Sequence, residues 1–145
     1  MNDLIKLKLV TEDEAECLHR LQVEAFMPLY EKYQDDDTSP AKESLKRVTE
    51  KIIEENSDFY FIVFHGEKVG GVRVRWHQGK KVHENVNWIS PIFVIPKFQN
   101  KGIASNVIKQ LFDIYPNTIE WWLSTIKQEE KNCHLYEKCG FVRTG

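Results

Sequence analysis

Ile92-Phe93-Val94-Ile95-Pro96-Lys97-Phe98-Gln99-Asn100-Lys101-Gly102-Ile103-Ala104-Ser105 is the stretch whose reading decides the fold. The apolar run Ile92 to Ile95 is closed by Pro96, which has no backbone N–H to continue a ladder, so it reads as the end of a buried strand. A short polar loop follows, and beyond it Val107, Ile108, Leu111, Phe112 and Tyr115 recur at helical spacing. The segment is therefore strand, tight loop, helix, with Gly102 and Ala104 in the first turn. Small residues there let a ligand approach the backbone, and the unpaired N–H groups and positive dipole end of a helix start suit a phosphate. Lys97 and Lys101 add positive charge nearby. A βα corner that needs a glycine only for its turn reads the same way.

Two nucleotide motifs fail on their residues. A phosphate-binding P-loop needs Gly-Lys followed by Ser or Thr, whereas Lys101 precedes the glycine and Ile103 follows it. The dinucleotide fingerprint needs three spaced glycines, and Gly102 stands alone. Gln99-Asn100-Lys101-Gly102-Ile103-Ala104 instead resembles the Gln/Arg-x-x-Gly-x-Gly/Ala signature of the GNAT superfamily of N-acetyltransferases. Val94-Ile95-Pro96 matches the strand that leads into it. Downstream, Leu135-Tyr136-Glu137-Lys138-Cys139-Gly140-Phe141 resembles that family's second signature, a helix ending in Tyr-Glu-Lys-x-Gly-Phe. The two motifs occur in the family's order.

Composition sets the bounds. The chain's 145 residues suffice for one domain (1–145) with a real core, and a hydrophobic fraction of 41% is that of a globular protein. With 20 basic against 22 acidic residues there is no electrostatic footprint for nucleic acid. No apolar run approaches membrane-spanning length and the N-terminus is too polar for a signal peptide, so a cytoplasmic protein is expected, without membrane or nucleic-acid partners. Cys17, Cys133 and Cys139 are an odd number at spacings that suggest free thiols in a reducing compartment. Cys133, His134 and Cys139 lack a CxxC partner and metal-ligand spacing, so no metal is expected.

Taken in order, Leu4 to Leu9 alternates as a half-buried strand, and Thr11 with Glu14 forms a capping box that opens a helix. Ala15, Leu18, Leu21, Gln22 and Ala25 trace the inner face of that helix, with Phe26 near its end, and Pro28 is expected to interrupt it. Ser39-Pro40 reads as the next helix start, with Leu45, Val48, Ile52 and Ile53 as the apolar face and Asn56 at the end. Phe59 to Phe64 and Val69 to Trp76 are strands around a turn at His65-Gly66-Glu67. Gly70-Gly71 marks a bulge or a close backbone approach, and Arg73 and Arg75 share a face read as solvent. Val82 to Ile95 is a long strand or bent pair, Ile119 to Leu123 another strand, and Glu129 to Cys139 a helix capped by Gly140.

The element order is that of a mixed α/β (α+β) chain, and it agrees with the GNAT fold, a central mostly antiparallel sheet with helices on both faces. Members of that family carry one or two more strands after Gly-Phe. Here Phe141 to Thr144 can supply at most a short sixth strand, so a longer parent chain, or a sheet edge covered by a partner as in a homodimer, is expected.

The resemblance also implies chemistry: an acetyl-CoA-dependent N-acetyltransferase acting on a small-molecule or peptide amine by direct attack in a ternary complex. The alternative is a non-catalytic domain that binds CoA or a partner. A free alkylammonium, with a pKa of roughly 10, must lose a proton to attack. The carbonyl needs donors where charge develops, and the leaving thiolate needs an acid. By position in the family's motifs, Ile92, Phe93 and Val94 on a bulged strand would hold carbonyl and pantetheine. Gln99, Asn100, Lys101, Gly102, Ile103, Ala104 and Ser105 would hold the pyrophosphate. Tyr136 would protonate the thiolate, although it also fits a core tyrosine beside Leu135 and Phe141. Asn132 lies one helical turn before Tyr136 and would either bond pantetheine or cap its helix. Tyr30, Tyr33 and Asp35, in the region that lines the acceptor pocket of the family, would take a cationic amine, or form a solvated loop with Asp36 and Asp37. The general base stays open among Glu24, His83, Glu84, the Asp35 to Asp37 run and a water relay.

Overall fold

The structure is a computed structural model that describes residues 4–33, 40–76, 86–118, 120–123, 137, 140 and 141. For Leu29, Lys32, Tyr33 and Pro40 it describes the backbone only. Strand β1 (Ile5–Leu9) is followed by Thr11, whose capping box with Glu14 starts a 3-10 turn over Glu12–Glu14 that runs straight into α1 (Ala15–Tyr33). Pro28 does not interrupt this helix, contrary to expectation. Pro28 and Glu24 are both exposed, so water can satisfy the carbonyl that the missing N–H leaves without a donor.

The next helix also starts later than the Ser39-Pro40 pair suggests. Pro40–Lys42 is only a 3-10 turn, and α2 (Leu45–Ile53) begins at Ser44, whose hydroxyl accepts from the Arg47 N–H at 3.1 Å. A serine oxygen aimed at the third helical N–H defines the start more strongly than a proline does. The helix also stops before Asn56, with Glu54 already extended.

Strands β2 (Ser57–Phe64) and β3 (Glu67–Trp76) form a hairpin through His65 and Gly66, both left-handed at φ 51° and 81°. This is the backbone that a two-residue primed turn needs. Strand β4 (Val86–Val94), α3 (Ile103–Ile114) and β5 (Glu120–Leu123) complete the described elements. The five strands lie in sequence order, β1 to β4 antiparallel and β4 parallel to β5. Glu137 is helical and Gly140, at φ 102°, donates its N–H to the Glu137 carbonyl; the rest of the expected last helix lies outside the described residues.

Helices cover both faces of the sheet. Phe61, Gly71 and Phe93 are in register across β2, β3 and β4 and face α1, where Phe26 meets the Phe93 ring at 5.5 Å. Tyr60, Val72 and Val74 face α3, whose Val107, Ile108 and Leu111 are buried. Arg73 belongs to the α1–α2 face and is 3% exposed, paired there with Glu54, which corrects its reading as a solvent residue. Arg75 alone of that pair is exposed. Cys17 is a free, half-buried thiol; Cys133, His134 and Cys139 lie outside the described residues. Among the described residues no helix is long and apolar enough to cross a membrane.

Candidate functional site

The site forms where, among the described residues, β4 outruns its neighbour. Within them the β4–β5 ladder runs to the pair Ile89 and Leu123, whereas β4 continues to Val94. On its other edge β4 stays paired with β3, but the register jumps from Val74–Ile89 to Val72–Ile92. Ser90 and Pro91 therefore both oppose Arg73, a bulge at which the proline forfeits a ladder hydrogen bond without harm; the Ser90–Pro91 peptide is cis. The Ile95 N–H donates to the Val69 carbonyl at 2.9 Å, so Ile95 and Phe93 turn their backbone groups towards β3. By the alternation of a strand, Ile92 and Val94 turn theirs to the other edge, which beyond Ile89 is open among the described residues.

Close approach of β3 holds this segment in place. A Cβ on Gly70 would lie 2.0 Å from the Phe93 carbonyl oxygen, and one on Gly71 would lie 2.8 Å from the Phe93 ring and 2.9 Å from Leu18. Both readings of Gly70-Gly71 hold in part: the close backbone approach applies at Gly70, side chains crowd Gly71, and β3 slips register against β2 beside Gly70, between Ile62 and Val63.

The chain leaves β4 through a 3-10 turn, Pro96–Phe98, closed by Phe98 N–H to the Ile95 carbonyl at 2.9 Å and Gln99 N–H to the Pro96 carbonyl at 3.2 Å. Asn100 and Gly102 then adopt left-handed backbones, at φ 65° and 77°, on either side of Lys101. Gly102 is the N-cap of α3, and the first helical bond comes from the Asn106 N–H to its carbonyl at 3.1 Å. Among the described residues the backbone N–H groups from Asn100 to Ser105 find no backbone acceptor. A run of donors without a backbone acceptor, with left-handed Asn100 and Gly102 leading into the positive end of a 12-residue helix, can cradle an anion. Lys97 and Lys101 are exposed beside it.

The predicted residues divide accordingly. Ile92 and Val94 line the open edge, and Asn100 to Ser105 line the cradle. Phe93 lies between, with its backbone turned to β3 and its ring on Phe26. The Gln99 side chain turns inward and donates from Nε2 to the Val94 carbonyl at 2.8 Å. Tyr30 lies one helical turn beyond Phe26, and the Lys42 ammonium sits 4.5 Å from its ring centroid. Glu24 is exposed. Tyr136, Asn132, Asp35 to Asp37, His83 and Glu84 lie outside the described residues, as does the Tyr33 side chain. Two features have no clear signal in the sequence. Phe26 reads only as the end of an apolar face, and nothing in the spacing of Gln99 reveals an internal bond. The far end of α3 holds a separate cluster. There Tyr115 donates to Asp58 at 2.6 Å and shares a 2.8 Å hydroxyl contact with Tyr60, and burial is the main cause that raises both tyrosine pKa values.

The acetyltransferase (GNAT) family model matches residues 18–141. The chain belongs to the GNAT family of acetyltransferases. A spermidine N(1)-acetyltransferase of Vibrio cholerae is 26% identical over 152 residues, spanning 100% of this chain and 83% of the relative. The enzyme of that name from Escherichia coli is 27% identical over 145 residues, spanning 97% and 74%. Among solved structures, an acetyltransferase from Thermus thermophilus superposes with a TM-score of 0.76 at 14% identity, covering 95% of this chain and 86% of that one. An aminoglycoside acetyltransferase from an uncultured soil metagenomic sample gives 0.70 at 13% identity, covering 99% and 91%. These two establish shared fold.

The GNAT cosubstrate, acetyl-CoA, fits what this chain presents. Its pantetheine arm carries amides that can bond an open strand edge, which Ile92 and Val94 supply. Its pyrophosphate matches the cradle of free N–H groups from Asn100 to Ser105, which a side chain at Gly102 would strain at φ 77°.

Proposed function

We propose that residues 1–145 form one GNAT domain that moves an acetyl group from acetyl-CoA to a primary amine by direct attack in a ternary complex. The observation that carries this reading is the continuity of the open β4 edge with the anion cradle at the start of α3. Acetyl-CoA supplies an acyl thioester, whose C–S bond breaks as the amine nitrogen bonds the carbonyl carbon. Ile92 holds the pantetheine arm through its outward N–H and C=O groups and Val94 through its outward N–H, the Val94 carbonyl already accepting from Gln99 Nε2. The amides from Asn100 to Ser105, with Lys101 alongside, hold the pyrophosphate. Ala104 is small enough for that approach, and Ile103, buried, anchors the helix start. Asn132 bonds the pantetheine arm, and the Tyr136 hydroxyl delivers the proton that the departing thiolate takes up.

Tyr30, Tyr33 and Asp35 receive the acceptor. Tyr30 already carries a cation over its ring in Lys42, which supports a seat for an ammonium. Relatives named for spermidine place polyamines first among the acceptors to try, with aminoglycosides next. An unprotonated amine is needed at the moment of attack, so the acceptor's proton leaves to a base or water within the same pocket.

Calorimetric titration of acetyl-CoA, together with thiol release against an amine panel for wild type and Tyr136→Phe, tests the reading. Binding with turnover that falls in the variant by about 10²-fold supports it. A folded protein that does not bind acetyl-CoA refutes it, and binding without turnover on any amine points instead to a CoA-binding domain without catalysis.

A further inference from the structure

Among the described residues, Gln99 is the member of the signature loop whose side chain reaches back to the strand. Its Nε2 donates to the Val94 carbonyl at 2.8 Å, although the residue itself is exposed. Val94 is the last residue of β4, and its carbonyl points off the open edge because the Ile95 N–H is committed to β3 through Val69. The residue after Gln99 is Asn100, the first of the left-handed positions and the first of the free N–H groups. A single side-chain hydrogen bond thus ties the end of the strand edge to the start of the cradle. Between those two points the chain makes only the 3-10 turn Pro96–Phe98, held by two backbone bonds of 2.9 and 3.2 Å.

Phe98, whose ring meets that of Phe64 at 5.9 Å, and buried Ile103 seat the loop on the core, but neither bonds the strand edge to the start of the cradle. Gln99 supplies that bond, and one of its two Nε2 hydrogens is engaged within the protein while doing so. Resting on the cosubstrate reading above, we propose that Gln99 is a positioning residue and not a phosphate ligand. It holds the strand edge and the amide cradle in register, so that one ligand can engage both at once. The energetic signature of such a residue is particular. Two half-sites linked rigidly give a long ligand a high effective concentration at the second site, whereas a short ligand that touches one half-site gains nothing from the link.

The test uses the full chain and three probes: CoA, pantetheine, which reaches only the strand edge, and ADP, whose pyrophosphate reaches only the cradle. Gln99→Met keeps the length of the side chain and removes the donor. Expected is a roughly tenfold weaker Kd for CoA, with pantetheine and ADP each changed by less than about twofold. Equal weakening of ADP and CoA would show that Gln99 ligates phosphate directly and would overturn the proposal. No change for any probe would overturn it too. If wild type binds neither CoA nor the fragments, the cosubstrate reading falls and the proposal with it. Hydrogen exchange at saturating CoA gives an independent readout, because the unliganded amides of residues 100–105 have no backbone acceptor to protect them among the described residues. CoA should slow these amides in wild type and slow them less in Gln99→Met, while those of β3 and α1 stay as in wild type. Equal protection at 100–105 in the two proteins would remove the positioning role even where CoA binding is weaker.

Discussion

A methyl group on Gly70 would lie 2.0 Å from the carbonyl oxygen of Phe93, inside any tolerable contact. The atom in the way is backbone of β4, so relief requires the strand itself to move. That strand is the one whose far edge is proposed to hold the pantetheine arm. Gly70→Ala should therefore cost about 1–3 kcal/mol of stability and weaken acetyl-CoA binding together with it. Urea unfolding and calorimetry on the same variant check both. A stable variant with intact binding would mean that β4 accommodates the shift.

Acid stability should depend on Glu14. The Thr11 backbone N–H is the main cause that lowers its carboxyl to about 2, helped by the Thr11 hydroxyl, Lys68 and Lys8 and opposed by desolvation. A folded-state pKa below the unfolded one makes the contribution present above the unfolded value of 4.5 and lost as pH falls from there towards 2. In thermal melts Glu14→Gln should lower Tm at pH 7, and its difference from wild type should shrink as pH falls from 4.5 towards 2. A difference as large at pH 2 as at pH 7 would place the effect elsewhere than in the carboxylate.

The opposite sign applies to Tyr115. Its pKa is raised, by burial first and then by its hydrogen bonds to Asp58 and Tyr60, so its folded form stays neutral where an unfolded tyrosine ionises. Stability from this group is complete below the unfolded value of 10.0 and is lost as pH climbs past it. Tyr115→Phe should lose about 1–3 kcal/mol at pH 7 and show a shallower decline above pH 10. The α3 C-terminus lies roughly 18 Å along the helix from the cradle, so the Kd for CoA should stay as in wild type. Denaturant melts at pH 7 and pH 10.5, with one CoA titration, decide it.

Lys42 bears on acceptor choice. Its ammonium sits 4.5 Å over the Tyr30 ring, the seat proposed for a cationic acceptor, so the two compete. Removing a contact worth about 0.5–1 kcal/mol should lower KM for a polyamine by roughly 2- to 5-fold in Lys42→Gln. Neutral aromatic amines should show no such gain. A KM that rises for the polyamine would mean that Tyr30 lies outside the acceptor pocket.

Local signals that act through the backbone are legible in the sequence. Alternation finds the strands, the Thr11 and Glu14 pair finds its capping box, and Gly102 with its neighbours locates the turn into α3. Signals that depend on what a segment packs against are not. Pro28 breaks a helix only where the freed carbonyl has no other partner, and here the exposure of Glu24 leaves that carbonyl open to water. Ser39-Pro40 carries the stronger local signal for a helix start, yet it is the Ser44 hydroxyl that caps α2. The site is legible as far as motif positions go, because the role proposed for Asn100 to Ser105 runs through main-chain groups. The inward turn of Gln99 is not, because a side chain's partner is a fact of tertiary structure.

Arg73 shows the same limit and yields the sharpest ordering of variants. Its side chain is 4% exposed whereas that of its partner Glu54 is 45% exposed, so the two ends of this ion pair sit in different solvents. Burial lowers the Arg73 pKa, with Glu54 the first force that opposes it, and among the described residues the buried Nε has no hydrogen-bond partner. Glu54→Ala leaves a buried cation with Glu43 as its remaining counter-charge, a loss that stays below the roughly 3–5 kcal/mol of a fully buried pair because Glu54 is half in water. Arg73→Met leaves behind a carboxylate that water already reaches and fills the space with an apolar chain of similar length. It should therefore cost less than Glu54→Ala, although in a simple count each variant removes the same interaction. Urea unfolding of the two single variants and the double variant checks the order. The double variant should recover most of what Glu54→Ala loses. If Arg73→Met proves the worse of the two, the buried guanidinium contributes more through its hydrogen bonds than its desolvation costs.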